Sequence, residues 1–445
     1  MATSRVSILL DGWKTSLLLS LALIGGQGAA QIKVPEAAAA EVTIESVFAE
    51  APFAKWQAEG PKQQIPWKVH MSADRLSFHQ RLIANIQVEV PGPELVKRSH
   101  DQQILLLVQV TNGLGVSFRN YGLLELDKMK PELKRSDVQF SWQAFAVPGQ
   151  YDVSVALWDK TSGEHSFLRR LFHVDAYKND PLPSMWRGLD AFEFWSTSRD
   201  GPEFIFHSDI DGHLHLPVLS KRPILLEVLL DVTPSAEIFH GNYAIYNHYL
   251  AQAVPTFKTF SQITLENGSL DVAALDLAQH RIVFEQSSVK DIDWPSLRKA
   301  ISPDNGPGVV SVNNLKNRQQ SPVFLREEIV RRLSAQRQTS AQAPLHVFVV
   351  IGPPMDLYPF RALPGIETGN EADCLIYYLE LGYIEFDHMH GRAIPGSSNF
   401  GSSNLGSSNH LETMLKPLKV HTIQVHSPDD ARHALAKILD EVGKK

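Results

Sequence analysis

Short apolar runs, separated by turn residues, fill the chain between about residue 67 and residue 176. They include IANIQVEV (83–90), QILLLVQV (103–110), VQFSWQAFAV (138–147) and YDVSVALWD (151–159), with turn segments such as PGPE and TNGLG between them. Runs of this length, rich in β-branched and aromatic residues, are typical of an antiparallel sandwich. We therefore predict an immunoglobulin-like β-sandwich over residues 67–176, and nothing in this region has the pattern of a catalytic motif.

The pattern changes from about residue 217 onward. The runs ILLEVLLD (224–231), LHVFVVIG (345–352) and CLIYYLEL (374–381) show no alternation of polar and apolar residues, as expected when both faces of a strand are covered. Segments over 321–336 and 427–442 have the apolar spacing of amphipathic helices. Buried strands that alternate with helices predict an α/β doubly wound, Rossmann-like domain over 217–445.

Composition defines the other segments. Residues 31–66 are rich in Ala, Pro, Glu and Gln, which predicts a linker with one short helix. Residues 177–216 predict a second linker followed by a β-hairpin that turns at Asp211-Gly212. Residues 396–409 repeat a Gly-Ser-Ser-Asn unit, and such residues bury too little apolar area to order a chain. We interpret this repeat as a loop extension within the second domain.

The first 30 residues have the features of a secretory signal peptide. Arg5 and Lys14 supply positive charge, and the apolar run over 15–26 is too short to span a bilayer. Small residues at Gly28 and Ala30 fit a cleavage before Gln31. This pattern predicts a secreted or periplasmic protein with no membrane span after cleavage; a signal that is kept as a membrane anchor is the alternative.

Composition excludes some classes of protein. The chain is 43% hydrophobic and 20% charged, as in ordinary globular proteins, and its net charge of −7 gives no general attraction to nucleic acid. Cys374 is the only cysteine, so no internal disulfide can form. An exported chain of this kind must be held together by its hydrophobic cores.

One candidate site follows the first buried strand of the second domain. Asp231 ends this strand, and Thr233 and Ser235 follow at alternate positions. Carboxylate and hydroxyl oxygens are hard ligands that suit Mg²⁺ or another divalent cation, and the carboxyl ends of strands are where such sheets bind ligands. A helix start is the competing interpretation, with Thr233 as the N-cap and Pro234 as the first helical residue.

The spacing of Asp231, Thr233 and Ser235, together with the order of elements over 217–445, resembles von Willebrand factor A-like domains. The order of elements also looks like that of the VWFA-related acidobacterial domain family, in which an exported chain carries such a domain. The resemblance implies a metal-ion-dependent adhesion site, with Asp356 as a later acidic ligand. The sequence departs from the pattern at Pro234, where Gly is usual, and two prolines precede Asp356. We therefore expect a degenerate cation site.

Alternating histidines and aspartates form a second candidate metal site. His207, Asp209, His213 and His215 lie at odd positions of the predicted hairpin, and a His-x-His pair on one strand face can bind Zn²⁺ or Cu²⁺. The alternative is that these side chains form the solvated face of an exposed hairpin.

The sequence contains no G-x-S-x-G, H-E-x-x-H, P-loop or G-x-G-x-x-G motif. Asp291 and Asp293 could form an acid–base pair, but they are more simply the N-terminal charges of a helix over 294–301. We therefore expect a non-enzymatic, exported binding protein whose partner is another protein or an extracellular polymer. The alternatives are a metal-dependent enzyme or metal-binding protein that uses residues 207–215, and a scaffold subunit of an envelope assembly.

Overall fold

The structure is a computed structural model. It describes residues 5–9, 43–98, 103–125, 136–195, 212–233, 243–301, 321–336, 344–353, 374–382, 385–387, 392–394 and 415–445.

Two five-stranded sheets make up the first half of the chain. The first sheet has the order β1-β7-β4-β3, with β10 also pairing with β7; its strands are β1 (Arg5–Leu9), β3 (Lys68–Leu76), β4 (Leu82–Pro91), β7 (Asp137–Ala146) and β10 (Phe192–Phe194). The second has the order β2-β9-β8-β5-β6; its strands are β2 (Lys62–Gln63), β5 (Gln103–Asn112), β6 (Ser117–Glu125), β8 (Gly149–Asp159) and β9 (His165–Val174). A short helix, α3 (Gly92–Val96), follows β4.

The two sheets pack face to face because alternate residues of their strands are apolar. Val138, Phe140 and Trp142 of β7 share one buried core with Val153 and Val155 of β8. All pairings in the two sheets are antiparallel except that of β1 with β7. The predicted β-sandwich is therefore present, and its strands lie where the apolar runs occur.

Two helices pack on the outer face of the second sheet, where we expected a linker. They are α1 (Ile44–Glu50) and α2 (Phe53–Glu59). Phe53 and Trp56 are buried against Phe167 of the sheet, and Trp56 stacks on His165 with ring centroids 4.6 Å apart. From Ile44 onward, this segment is therefore part of the folded sandwich, because its aromatic residues cover an apolar patch of the sheet.

The second half of the chain contains a six-stranded sheet of order β15-β14-β12-β16-β17-β20. Its strands are β12 (Ile224–Asp231), β14 (Gly268–Asp276), β15 (Arg281–Gln286), β16 (Leu345–Gly352), β17 (Cys374–Leu381) and β20 (His421–Val425). β15 runs antiparallel to β14, and the other neighbours are parallel. Two further two-stranded sheets pair β11 (Leu216–Val218) with β13 (Ile263–Leu265) and β18 (Glu385–Asp387) with β19 (Arg392–Ile394).

Helices cover both faces of the six-stranded sheet. Core residues of α4 (Tyr243–Ser261), α5 (Trp294–Ile301) and α7 (Pro428–Gly443) belong to the cluster on one face. Those of α6 (Ser321–Gln336) belong to the cluster on the other face. A 3₁₀ helix (Lys416–Leu418) precedes β20. As β12 and β16 are covered on both sides, every residue of β16 is buried, which explains their unbroken apolar sequences.

The second part of the predicted fold class, an α/β doubly wound, Rossmann-like domain, is wrong for this structure. Strand makes up 45% of the described residues and helix 26%, and most sheets are antiparallel. The runs that we assigned to one sheet lie in the six-stranded sheet, but the two small sheets were not expected. The pairing of β11 with β13 joins residues that are far apart in sequence, which local patterns do not reveal.

A junction joins the sandwich to the six-stranded sheet through residues 175–191, here called the strap. Arg432 of α7 is completely buried, and its Nε and Nη2 donate to the two carboxylate oxygens of Asp180 in the strap, at 2.7 and 2.6 Å. Its guanidinium also lies over the rings of Trp186 and Tyr177, 4.6 and 5.3 Å from their centroids. The strap is therefore fixed to the last helix of the chain.

The turn between β3 and β4 completes the junction. Gln80 in this turn has a positive φ of 59°. Its carbonyl accepts hydrogen bonds from the indole of Trp186 (2.7 Å) and from Arg432 (3.4 Å), and its side chain donates to the carbonyl of Pro428 (3.0 Å). The sandwich, the strap and α7 thus meet around one backbone carbonyl.

Several predictions concern segments at the margins of the described chain. Residues 10–42, which hold most of the predicted signal peptide, and the repeat over 396–409 lie outside the described residues. Arg5–Leu9, in the charged part of that signal, forms β1 and pairs with β7. Among the described residues, no helix is both long and apolar enough to cross a membrane.

Candidate functional site

Asp231 lies at the carboxyl end of β12, in the middle of the six-stranded sheet. It is only 2% exposed because β14 and β16 flank the strand and helices cover its faces. Its Oδ1 accepts a hydrogen bond from the backbone N–H of Thr233 at 2.8 Å. Its Oδ2 has no hydrogen-bond partner within the described part of the chain. A buried carboxylate oxygen without a donor is unfavourable, which makes this position a candidate site.

The electrostatics of Asp231 follow from this arrangement. Burial raises the pKa of Asp231 to about 7, because the ionised form loses its hydration. Hydrogen bonds from Thr233 lower the pKa in part, and the negative charge of Asp276 raises it further. Asp231 is therefore balanced between its protonated and ionised forms near neutral pH, where a bound cation would favour the ionised form.

Gly352 provides space next to the carboxylate. It ends β16, and a Cβ at this position would lie 3.3 Å from Cβ of Asp231 and 3.6 Å from its Oδ2. The same Cβ would lie 3.6 Å from the ring of Tyr378, whose hydroxyl donates to the carbonyl of Pro353 at 2.7 Å. Oδ2 of Asp231 thus faces the end of the neighbouring strand, where a Cβ at position 352 would make the space beside the carboxylate narrower.

The side chain of Thr233 connects two strand ends, and the helix start predicted directly after it lies outside the described residues. Its Oγ1 accepts a hydrogen bond from the backbone N–H of Leu277, at 2.7 Å, in the loop that follows β14. The side chain is buried, and its hydrogen bond connects the end of β12 to the end of β14. Of the predicted metal ligands, Asp231 and Thr233 are therefore adjacent, whereas Ser235 and Asp356 lie outside the described residues.

Asp276 is a buried acidic residue that the sequence did not single out. It ends β14, is fully buried, and accepts a hydrogen bond from the backbone N–H of Gln279 at 3.0 Å. Burial raises its pKa, and this hydrogen bond and the nearby Arg281 lower it in part. Its position at the end of a neighbouring strand was visible in the sequence SLDVAALDL, but its side chain mainly stabilises the turn between β14 and β15.

The second candidate site is only partly described. His213 and His215 are exposed, alternate with buried Leu214 and Leu216, and precede β11 instead of lying in a strand. Nε2 of His213 lies 2.8 Å from Oδ1 of Asp291, and both side chains are largely exposed. His207 and Asp209 lie outside the described residues. Among the described residues, no three His, Cys, Asp or Glu side chains come together in a group that could hold a metal ion.

The predicted hairpin and the acid–base pair take other roles. Leu216–Val218, expected to return as a hairpin strand, instead pairs in parallel with Ile263–Leu265. Asp293 accepts hydrogen bonds from the backbone N–H and the hydroxyl of Ser296, at 3.1 and 2.6 Å. It therefore caps α5, as the simpler interpretation of the sequence held, while Asp291 faces His213.

A buried charge network lies on the α6 side of the same sheet. Arg332 of α6 donates to Glu227 of β12 at 2.7 Å, to Glu285 of β15 at 2.5 Å and to Glu328 one turn earlier at 2.7 Å. Burial raises the pKa of Glu227, and the contact with Arg332 lowers it in part. Because one guanidinium joins three elements, this network has a structural role in fixing α6 to the sheet.

Comparisons with known proteins give little further information. No family model matches the sequence, and no curated protein matches it. Solved structures with some similarity include the ArnB paralog VWA2 from Sulfolobus acidocaldarius, with 9% identity and a TM-score of 0.23, over 65% of this chain and 50% of that chain. Another is the putative ApaA protein from Bordetella pertussis, with 14% identity and a TM-score of 0.16, over 26% of this chain and 98% of that chain. Similarities at these TM-scores do not establish a fold or a function.

Proposed function

We propose that this chain is an exported, non-enzymatic binding protein that engages another protein or an extracellular polymer. The binding face lies at the edge of the six-stranded sheet where β12 and β16 end. The observation that supports this most is the buried Oδ2 of Asp231, which faces Gly352 and has no hydrogen-bond partner in the described chain. The resemblance of the Asp231 motif to von Willebrand A-like adhesion sites agrees with this proposal.

A divalent cation would give this oxygen a partner. Mg²⁺ prefers carboxylate, hydroxyl and carbonyl oxygens and keeps several water ligands, so one or two protein ligands are enough to hold it loosely. Asp231 would be the charged ligand. The hydroxyl of Thr233 is already engaged with the backbone of Leu277, so the site is degenerate and its affinity for the cation should be weak.

Thermal unfolding with and without cations tests this site. We expect millimolar Mg²⁺ or Mn²⁺ to raise the midpoint relative to EDTA, because a ligand that binds only the native state stabilises it. Asp231→Asn should abolish the increase, whereas Asp440→Asn, at an exposed carboxylate on α7, should keep it. A midpoint that no divalent cation shifts, in a folded wild-type protein, would exclude the cation site.

The non-enzymatic part of the proposal has its own test. Purified protein should show no turnover with panels of ester, phosphate, peptide and glycoside substrates. Turnover that Asp231→Asn abolishes would show that the same site is catalytic, and the proposed function would then be wrong.

The alternative of a metal-binding hairpin also stays open to experiment. His213 and His215 share an exposed face, and Asp291 lies beside His213. Elemental analysis of protein purified without chelator should find no stoichiometric Zn or Cu. Metal that is lost in the variant with both His213→Ala and His215→Ala would support the metal-binding alternative. Co-purification of a stable set of envelope proteins would instead support a scaffold subunit.

A further inference from the structure

The six-stranded sheet has two edge strands, and they differ in the residues that they carry. β15 forms one edge and β20 forms the other. β15 contains Arg281 and Glu285, and Glu285 is held by Arg332 of α6. β20 has the sequence HTIQV and contains no Lys, Arg, Asp, Glu or Pro. Folded proteins commonly protect an edge strand from pairing with another chain by charged residues or proline. β15 has such protection, whereas β20 does not.

The outer side of β20 presents the backbone groups of two residues. The carbonyl of Val425 accepts a hydrogen bond from the N–H of Gly382, directly after β17, at 3.0 Å. Val425 therefore faces β17, and because the direction of the backbone groups alternates along a strand, those of Thr422 and Gln424 point away from β17. Within the described part of the chain, β20 pairs with β17 alone. The open side of β20 thus offers two N–H and two C=O groups to a further strand.

A two-fold axis at Ile423 allows two copies of β20 to pair with each other. The same edge strands of a two-fold dimer run antiparallel across the axis. With Ile423 opposite its own counterpart, Thr422 of each copy lies opposite Gln424 of the other, and each such pair exchanges both of its N–H···O bonds. A register shifted toward His426 is less favourable, because the N–H of His426 already donates to Oδ2 of Asp430 at 3.0 Å.

The side chains around β20 agree with this symmetry. Ile423 is half-buried and packs against the core on the α7 face of the sheet, so its counterpart would cover its exposed part. Lys416 precedes β20, Asp429 follows it, and both are exposed. In an antiparallel pair the start of one strand lies beside the end of the other, which brings Lys416 of each copy toward Asp429 of the second copy. Opposite charges at such positions favour pairing.

We propose that two copies of this chain associate through β20, so that their six-stranded sheets form one continuous sheet across a two-fold axis. A second copy is the occupant because the same edge supplies both halves of the backbone pairing and both signs of charge. The contact is limited to a strand of five residues and the segments beside it. We therefore expect a weak dimer, with a dissociation constant on the order of 10 µM, as is common for small interfaces.

The dimer has a consequence for the proposed binding face. Because the paired strands run antiparallel, the carboxyl ends of the two sheets point in opposite directions. The two copies of Asp231 then lie at opposite edges of the joined sheet, and one dimer could hold two partners on opposite sides. Only this consequence rests on the proposed function, since association through β20 requires neither a cation nor a partner.

Sedimentation equilibrium of the full chain in EDTA tests the association. We expect a monomer–dimer equilibrium over concentrations from about 1 to 200 µM. Gln424→Pro should weaken dimerisation at least about tenfold, because proline removes the outward N–H of residue 424 and leaves the hydrogen bonds to β17 in place. The unfolding midpoint of this variant, measured at a concentration where both proteins are monomeric, shows whether it is folded.

Reversal of charge provides a second test that does not alter the backbone. Lys416→Glu should weaken dimerisation several-fold, because it places like charges near each other at both ends of the paired strands. The variant with both Lys416→Glu and Asp429→Lys should dimerise as wild type does. Lys55→Glu, the same change at an exposed lysine of α2, is the control and should leave the dissociation constant unchanged. These variants decide the question even if Gln424→Pro does not fold.

Three results would overturn the proposal. A chain that remains monomeric over the whole concentration range does not associate through β20. A dimer that neither Gln424→Pro nor Lys416→Glu weakens uses another surface. A monomeric chain that co-purifies with a different protein, released by Gln424→Pro, would show that the β20 edge binds that protein and not a second copy. None of these results depends on the cation site, so each is distinct from a failure of the proposed function.

Discussion

Arg432 and Asp231 are both buried charged residues, but the protein surrounds them in opposite ways. The guanidinium of Arg432 forms a two-point contact with Asp180, donates to the carbonyls of Gln80 and Leu182, and lies over two aromatic rings. Asp231 has one carboxylate oxygen bonded to a backbone N–H and the other without a partner in the described chain.

This difference separates a structural charge from a candidate functional one. A buried charge with a full set of partners fixes the elements around it, and removing it leaves those partners unsatisfied. A buried carboxylate without a donor raises the free energy of the folded state at neutral pH. Buried acidic groups with a strongly raised pKa are enriched at functional sites, which is why Asp231 and not Arg432 is the centre of the proposed site.

The largest expected effect is that of Arg432→Leu. This change should lower the free energy of unfolding by about 3–5 kcal/mol, because it leaves the Asp180 carboxylate and two buried carbonyls without their donor. Urea unfolding followed by tryptophan fluorescence measures the loss. His433→Ala, at the exposed neighbouring position, is the control and should change stability by less than about 0.5 kcal/mol. A loss in Arg432→Leu no larger than that of the control would show that the junction does not depend on this residue.

Asp231→Asn should have an intermediate effect and should raise, not lower, the free energy of unfolding. The pKa of Asp231 is about 7 in the folded state and 3.8 as the ordinary value. Between these two pH values the folded state binds more protons than the unfolded state, so this residue lowers stability as the pH rises. Asp231→Asn should therefore be more stable than wild type at pH 8 and gain little at pH 4.

Unfolding measured across pH 4 to 8 in EDTA checks this prediction. Asp440→Asn provides the matched control, because its carboxylate is exposed and pairs with Lys444. If Asp231→Asn lowers stability equally at both ends of the pH range, then the unpartnered oxygen is not a source of strain in the folded protein.

The smallest effect is expected for Gly352→Ala. The added methyl group would lie 3.3 Å from Cβ of Asp231, a close contact that small shifts can relieve. We expect a modest loss of stability, on the order of 1 kcal/mol, together with loss of the cation-induced increase in midpoint, because the methyl group occupies the space beside Oδ2. Thermal unfolding with Mg²⁺ measures both. An unchanged response to the cation would show that the ligand does not approach from the side of β16.

Local patterns in the sequence located many elements but not the partners of their residues. The unbroken apolar runs predicted β12, β16 and β17. The helical spacing over 427–442 predicted α7, where Oγ of Ser427 accepts a hydrogen bond from the N–H of Asp430 at 3.1 Å. Such signals lie within a few residues of each other, so the chain reveals them directly.

Features that depend on distant residues were missed. Arg432 and Asp180 are 252 positions apart, and Gln80 and Pro428 are 348 apart, so no local pattern predicts that they meet. Over Ile44–Glu50 and Phe53–Glu59 we predicted a linker with one short helix, because the Ala and Glu content hides the few aromatic residues that pack on the sandwich. The candidate site was only partly predicted, since the sequence pointed to Asp231 but not to Gly352.

The junction has a mechanical consequence. The turn at Gln80, the strap and α7 are joined by hydrogen bonds at one point. We therefore expect a force applied to the six-stranded sheet to pass to the sandwich through this junction. A pull on a partner held at the end of β12 would load hydrogen bonds and ring contacts in the junction before it stretched any flexible tether. The distance between the proposed binding face and the sandwich is then fixed by the folded structure and does not depend on the stretching of a linker.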